Sequence, residues 1–282
     1  MVEQQQTDNH APILTPPIGV MDSGVGGLSV LREIHRQLPA ESLLYVADSA
    51  HLPYGDKTPA FVRARVNRIA ESLIAMGAKA LVVACNTATA AAVESLRERF
   101  AVPVIGMEPG VKPAVLSSKR GVVGILATEG MVQSNRMREL VQRFAKEVEV
   151  VVQPCPGLVE QVERHALHTP ETSRLLHSYL APILERKADT LVLGCTHYPF
   201  LQPLIEDLVG PSVTVINTGS AVARHLSTRL AEGDLLNENR TTGSVRFFSS
   251  RNGEAQRQVV SRLWGEEVTV SLLDDTQRTE LA

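Results

Sequence analysis

Ala80-Leu81-Val82-Val83-Ala84-Cys85-Asn86-Thr87 and Thr190-Leu191-Val192-Leu193-Gly194-Cys195-Thr196-His197 read almost alike, 110 positions apart (195 − 85). Each is a short apolar run ending in a thiol followed by small hydroxyl or amide residues, so the chain presents the same reactive group twice, once per half. The echo extends outward in order. Ile18-Gly19-Val20-Met21-Asp22 recurs as Val123-Gly124-Ile125-Leu126-Ala127, and Leu43-Leu44-Tyr45-Val46 as Val150-Val151-Val152-Gln153. Pro103-Val104-Ile105-Gly106 recurs as Thr214-Val215-Ile216-Asn217. Apolar strands resemble one another in general, but four ordered echoes at offsets near 110 favour a duplicated pair of domains over chance.

Strand-like runs alternate with helix-like segments throughout, which predicts an α/β fold: two similar α/β domains with mostly parallel sheets, related by internal duplication, and an active site in the cleft between them. The length of 282 residues and the 44% apolar content suit two ordinary cores. The expected divisions are a polar N-terminal extension at 1–17, a discontinuous first domain at 18–112 plus 222–282, and a second domain at 113–221. The return of the tail to the first half rests on a helix-like Ser220 to Ala231 and the strand-like Val245-Arg246-Phe247-Phe248 and Val268-Thr269-Val270. One helix is well marked: Thr58 can cap it, Pro59 suits its first turn, Phe61, Val62, Val66, Ile69, Leu73 and Ile74 recur at helical spacing, and Gly77 ends it.

After Cys85 the run Ala88-Thr89-Ala90-Ala91-Ala92-Val93 reads as a helix opening, so the thiol is expected at the carboxyl end of a strand and beside a helix N-terminus. Ligands bind at that edge in open α/β sheets. Backbone N–H groups there would lower a thiol's pKa and could hold a carboxylate. The same placement is expected of Cys195, where His197 and Pro199 precede the next helical segment.

Net charge is −3, and Lys and Arg are scattered without forming a basic stripe, which points away from nucleic acid and toward a small ligand. Residues 1–17 lack the basic-then-apolar order of a secretory signal, and no run approaches the roughly 20 apolar residues of a membrane span. Three cysteines without paired spacing indicate free thiols in a reducing, cytoplasmic compartment.

A single cysteine is more often a buried small hydrophobe than a reactive group; two in matched strand-end contexts reverse that expectation. Cys155, between two prolines, lacks the context and reads as structural. Asp22-Ser23-Gly24-Val25-Gly26-Gly27 invites a nucleotide-loop reading, but Ser29 stands where a dinucleotide fingerprint needs its last glycine and no Gly-Lys-Ser/Thr follows. Asp22 would repel phosphate and suits an ammonium group or the steering of a thiol. Asp48-Ser49-Ala50-His51-Leu52-Pro53-Tyr54-Gly55 reads as a turn whose Tyr54 and Gly55 could line a pocket. His197 could be a metal ligand, an acid–base group or a surface histidine; a lone Cys-x-His pair is weak evidence for zinc, and proximity to a thiol favours acid–base work. Glu163 shares a helix-like stretch with Glu160, and composition does not choose between them.

Two acid–base groups contributed by duplicated halves suit the removal of a proton from one face of a carbon and its return to the other. A cysteine hydrolase accounts for only one thiol. The segments Asp22-Ser23-Gly24-Val25-Gly26-Gly27-Leu28, Pro53-Tyr54-Gly55, Ala84-Cys85-Asn86-Thr87-Ala88, Glu108-Pro109-Gly110 and Leu193-Gly194-Cys195-Thr196-His197-Tyr198-Pro199 together resemble the glutamate racemases, cofactor-independent bacterial enzymes that make D-glutamate for the cell wall. The likeness runs from about Ile18 to Thr218. Aspartate racemases share the paired thiols, and the fuller motif set is similar to the glutamate branch.

The resemblance implies that Cys195 takes the α-proton of L-glutamate while Cys85 delivers one from the opposite face, with Asp22 assisting Cys85, and Glu163 and His197 assisting Cys195. It implies that Asp22, Ser23, Tyr54, Gly55, Asn86, Thr87, Thr128, Thr196 and His197 hold the substrate, with no cofactor and no metal. It also implies a homodimer and, in part of the family, activation by a cell-wall precursor, for which residues 1–17 are a candidate site; a side role in inhibiting DNA gyrase occurs among relatives. Met131 stands where the family usually carries a second threonine, which puts the part of the pocket near Thr128 in question.

Overall fold

Each strand-like run of the paired echoes falls in a strand of the computed structural model, which describes residues 15–239, 241–251 and 253–273. Most of the polar extension, residues 1–14, lies outside the described residues. In chain order the first half runs β1 (Ile18–Asp22), α1 (Leu28–Gln37), β2 (Leu43–Ala47), α2 (Pro59–Ala75), β3 (Ala80–Val83), α3 (Asn86–Arg99), β4 (Val104–Gly106) and α4 (Val111–Ser117). The second half runs β5 (Val122–Ala127), α5 (Glu129–Gln133), α6 (Asn135–Phe144), β6 (Glu149–Pro154), α7 (Leu158–Glu163), α8 (Pro170–Glu185), β7 (Thr190–Leu193), α9 (Gln202–Val209) and β8 (Thr214–Ile216). The tail adds α10 (Gly219–Glu232), β9 (Val245–Ser249), α11 (Glu254–Trp264) and β10 (Val270–Leu272).

The strands form two sheets, β10-β9-β2-β1-β3-β4 and β6-β5-β7-β8, and every registered pair is parallel. The order β2-β1-β3-β4 is repeated as β6-β5-β7-β8, so each echoed run occupies the equivalent place in its sheet. Parallel strands covered by helices on both faces are buried throughout, which is why β1, β3 and β7 read as continuous apolar runs. In each sheet the chain goes first to one side of the central strand and then to the other, leaving a crevice at the carboxyl ends of β1 and β3 and of β5 and β7. Asp22, Cys85, Thr128 and Cys195 all stand at those four strand ends.

Helix α2 forms where its signals place it: the Thr58 hydroxyl accepts from the Phe61 N–H, Pro59 opens the first turn, and Gly77 follows the end at a φ of +88°. Val62, Val66, Ile69 and Leu73 face the core, whereas Phe61 is exposed and its ring meets His51 instead. The tail joins the first sheet through β9 against β2 and β10 against β9. Its last strand begins at Val270, two residues beyond the predicted start, because the Val268 N–H bonds the Ser261 hydroxyl of α11 and its side chain is buried.

The two lobes share a core. One apolar cluster continues from Leu28, Leu31 and Ile34 of α1 through Val222, Leu226 and Leu230 of α10 to Leu158, Leu193 and Leu201 beside the second sheet. Among the described residues no helix is long and apolar enough to cross a membrane.

Candidate active site

Cys85 is the N-cap of α3, and its sulfur accepts from the Ala88 N–H at 3.4 Å. A side-chain acceptor at that position satisfies a backbone donor the helix cannot. The neighbourhood nonetheless does the opposite of what the helix terminus alone predicts. Burial raises the Cys85 thiol well above its ordinary value, and the nearby Asp22 carboxylate adds to the shift, outweighing the Ala88 N–H. The thiol is held protonated.

Cys195 lies two residues past β7 but does not cap a helix as Cys85 does. Thr196 and His197 form a turn, and the chain enters a single 3-10 turn, Tyr198–Leu201, before α9. The expected equivalence of the two thiols therefore holds for the strand end and fails for the helix terminus. In place of a helix N-terminus Cys195 has His197, whose Nδ1 is 3.7 Å from its sulfur. The other ring nitrogen, Nε2, meets Glu163 Oε1 at 2.8 Å, and the same oxygen accepts the Val25 N–H at 2.7 Å. Burial alone would lower His197, but its bonds to Cys195 and Glu163 outweigh it and hold the imidazole well above its usual value.

Asp22 closes β1 almost completely buried. Its Oδ1 accepts the Ser23 N–H at 2.6 Å, and its Oδ2 accepts the Gly27 N–H and the Thr196 hydroxyl, the last at 3.1 Å. Burial raises its pKa, opposed by the charge of His197. The Thr196 bond crosses from one lobe to the other, as does the bond from the Ser29 hydroxyl to the Thr196 carbonyl at 2.9 Å.

The glycines of the first loop have a structural cause that their pattern did not reveal. A Cβ at Gly24 would collide with the Glu163 carboxylate, and one at Gly26 with the His197 ring. The loop is bare so that a charged pair from the other lobe can lie against it, which disposes of the nucleotide-loop reading on geometric grounds.

Cys85 and Cys195 both line one small cavity, together with Ser23, Pro53, Tyr54, Gly55, Asn86, Thr87, Thr128, Val159, Gly194, Thr196 and His197. The two thiols are 6% and 8% exposed. Of the predicted residues, Asp22 and Glu163 stand behind the cavity wall, against its lining residues Thr196 and His197. The Asn86 side-chain amide is buried here with neither its nitrogen nor its oxygen bonded within the protein. Such a group is an anchor for a polar ligand. Thr128 caps α5 and its hydroxyl lies 3.2 Å from that of Thr87 across the lobes; Met131 is buried in the core beneath. Tyr54 lines the cavity, and its hydroxyl donates to Asp48 at 2.6 Å. Cys155 is buried away from this lining and its thiol donates to the Gln153 carbonyl at 3.3 Å. Among the described residues no group of three or more His, Cys, Asp or Glu side chains is placed to hold a metal ion.

Ser29, Pro53, Val159 and Gly194 were not among the predicted residues. Ser29 stands out in the sequence only as a departure from a glycine pattern, and the other three carry no chemical signal, entering the site through backbone path and shape.

Comparison with known proteins agrees with this geometry. Residues 18–226 match the family model for Asp/Glu/hydantoin racemases. Over 248 residues the chain is 57% identical to the glutamate racemase of Methylococcus capsulatus, covering 88% of this chain and 92% of that one. The crystal structure of a glutamate racemase isoform from Bacillus anthracis superposes with a TM-score of 0.84 at 36% identity, covering 93% of this chain and 98% of that one. Escherichia coli glutamate racemase, solved with L-glutamate and the activator UDP-MurNAc-Ala, superposes with a TM-score of 0.81 at 33% identity over 92% and 98% of the two chains. The matched thiols, the repeated sheet order and these likenesses have one explanation: the chain belongs to the Asp/Glu/hydantoin racemase family and, within it, to the glutamate racemases, which are isomerases.

Proposed function

We propose that the protein interconverts L- and D-glutamate by a two-thiol proton transfer that needs no cofactor. The observation that carries this reading is that Cys85 and Cys195, from different lobes, line the same small cavity. In the L-to-D direction Cys195, as thiolate, takes the α-proton, and the electron pair of the broken C–H bond spreads into the α-carboxylate. Cys85 then gives its proton to the opposite face and is left as thiolate; the roles exchange for D-glutamate.

The surroundings fit those roles. Burial and the Asp22 charge keep Cys85 protonated, as a donor must be. His197, bonded to Cys195 and oriented by Glu163, can give and take a proton beside that sulfur. Backbone donors at the N-terminus of α3 and the free amide of Asn86 suit a carboxylate on which negative charge grows. The cavity has only about 20 Å³ that a water molecule can reach, near the minimum for a single water. On this reading an amino acid enters as the lobes part, and closure strips water from the reacting carbon.

D-glutamate supplied by this reaction serves peptidoglycan synthesis in the cytoplasm, with the protein acting as a homodimer. Activation by a UDP-linked cell-wall precursor, of the kind that the Escherichia coli enzyme holds as its activator, is part of the same proposal. Most of the candidate N-terminal segment for it, residues 1–14, lies outside the described residues.

The test is circular dichroism at a wavelength that follows glutamate handedness, with no cofactor added, and α-hydrogen exchange in D₂O. Glutamate is expected to racemise faster than aspartate at equal concentration. Cys85→Ala and Cys195→Ala should each lower kcat by at least about 10³-fold, the upper part of the range for a lost acid–base group. Full racemisation in both variants would dispose of the two-thiol reading, and a covalent acyl adduct on one cysteine would replace it with hydrolysis.

A further inference from the structure

Asp48, one residue beyond β2, opens the turn that leads to Tyr54 and Gly55 and carries a heavily bonded carboxylate near the cavity, although the proposed chemistry does not include it. It is fully buried. Its Oδ2 accepts the Tyr54 hydroxyl at 2.6 Å and Arg65 Nε at 3.0 Å; its Oδ1 faces Arg65 Nη2 and His51 Nδ1, both at 2.9 Å. Arg65 comes from α2, so one carboxylate gathers a strand end, a loop, a 3-10 turn and a helix.

We propose that Asp48 is a positioning residue for the substrate cavity, fixing through Tyr54 and Arg65 the wall formed by residues 53–55. The wall needs such an anchor. Tyr54–Asp56 is a three-residue 3-10 turn, a structure with poor hydrogen bonds and little stability of its own. The bidentate Arg65 grip fixes the carboxylate plane, and that plane aims the acceptor at Tyr54. The Asp48 N–H in turn donates to the Asp22 carbonyl at 2.9 Å, so the wall is held in register with the carboxylate beside Cys85. Hydrogen bonds from Arg65, Tyr54 and Ser250 outweigh burial and keep Asp48 below the ordinary carboxylate range, hence ionised and able to accept from all its partners.

The inference rests on the racemase reading, and the experiment separates the two. Steady-state kinetics in both directions are compared for wild type, Tyr54→Phe, Asp48→Asn and the double variant, with a melting curve for each. A wall that only encloses substrate acts alike on ground and transition states, so its loss appears in KM. Tyr54→Phe should raise KM for glutamate about threefold and Asp48→Asn about tenfold, with kcat within about twofold of wild type. The double variant should match Asp48→Asn, because both changes cut one link. Folded variants with wild-type KM, a lowered Tm with KM unchanged, or effects that add fully in the double variant would overturn the proposal. If Asp48→Asn does not fold, Tyr54→Phe decides alone. A wild-type protein that does not racemise glutamate counts against the functional reading instead.

Discussion

His197 shows how one residue's surroundings set both its chemistry and its effect on stability. Its imidazole is almost fully buried, which disfavours charge, yet its bonds to Cys195 and Glu163 raise its pKa. A base whose folded pKa exceeds its unfolded one binds its proton more tightly when native. The resulting stabilisation is complete below the unfolded value of about 6.5 and fades as pH rises toward the folded one. The free energy of unfolding should therefore decline with pH above about 6.5, His197 contributing a slope of at most about 1.4 kcal/mol per pH unit. His197→Asn should remove that component. Urea titrations of both proteins between about pH 6 and 8 measure it, and equal slopes would show that the residue is not protonated in the native state. The two thiols and the histidine were legible in the sequence because their chemistry is rare and their spacing is matched. Composition did not separate Glu163 from Glu160, which lie on one ordinary helix; the family resemblance selected Glu163, and the fold turns it toward His197.

At the scale of elements, the two lobes meet beside the cavity. The 3-10 turn at Tyr54–Asp56 touches α5, and a Cβ on Gly130 would come within 2.5 Å of the Gly55 carbonyl. Backbone against backbone at that distance leaves no room for a methyl group, so Gly130→Ala should hold the lobes apart. We expect iodoacetamide to label Cys85 and Cys195 about tenfold faster in Gly130→Ala than in wild type, equivalent to about 1.4 kcal/mol against the closed state. Unchanged labelling rates, read by peptide mass spectrometry, would mean that the substrate route lies elsewhere. Helices such as α2 were readable because capping residues and apolar spacing are local. Which turn meets which helix across the cleft was not, because Gly55 and Gly130 belong to separate lobes and neither carries a side chain to mark the contact.

For the whole molecule, duplicated architecture suggests two independent folding units, but the apolar cluster running from α1 through α10 to the second sheet joins them. The chain has one tryptophan, Trp264, on α11 beside Phe247 of the first sheet, so its fluorescence reports on that lobe alone. Fluorescence and far-UV circular dichroism, which reports on both lobes, should give coincident urea midpoints. A tryptophan transition that precedes or follows the other signal would show that the lobes unfold separately. The amino-acid sequence alone determined the α/β class, the repeat and the identity of the paired thiols, because apolar runs, caps and rare reactive residues are written locally and in order. The tertiary structure decided the rest: that Cys85 is kept protonated, that Glu163 reaches His197 past two bare glycines, and that Asp48 anchors a cavity wall. Those outcomes depend on burial and on contacts between residues far apart in the chain, which no local pattern encodes.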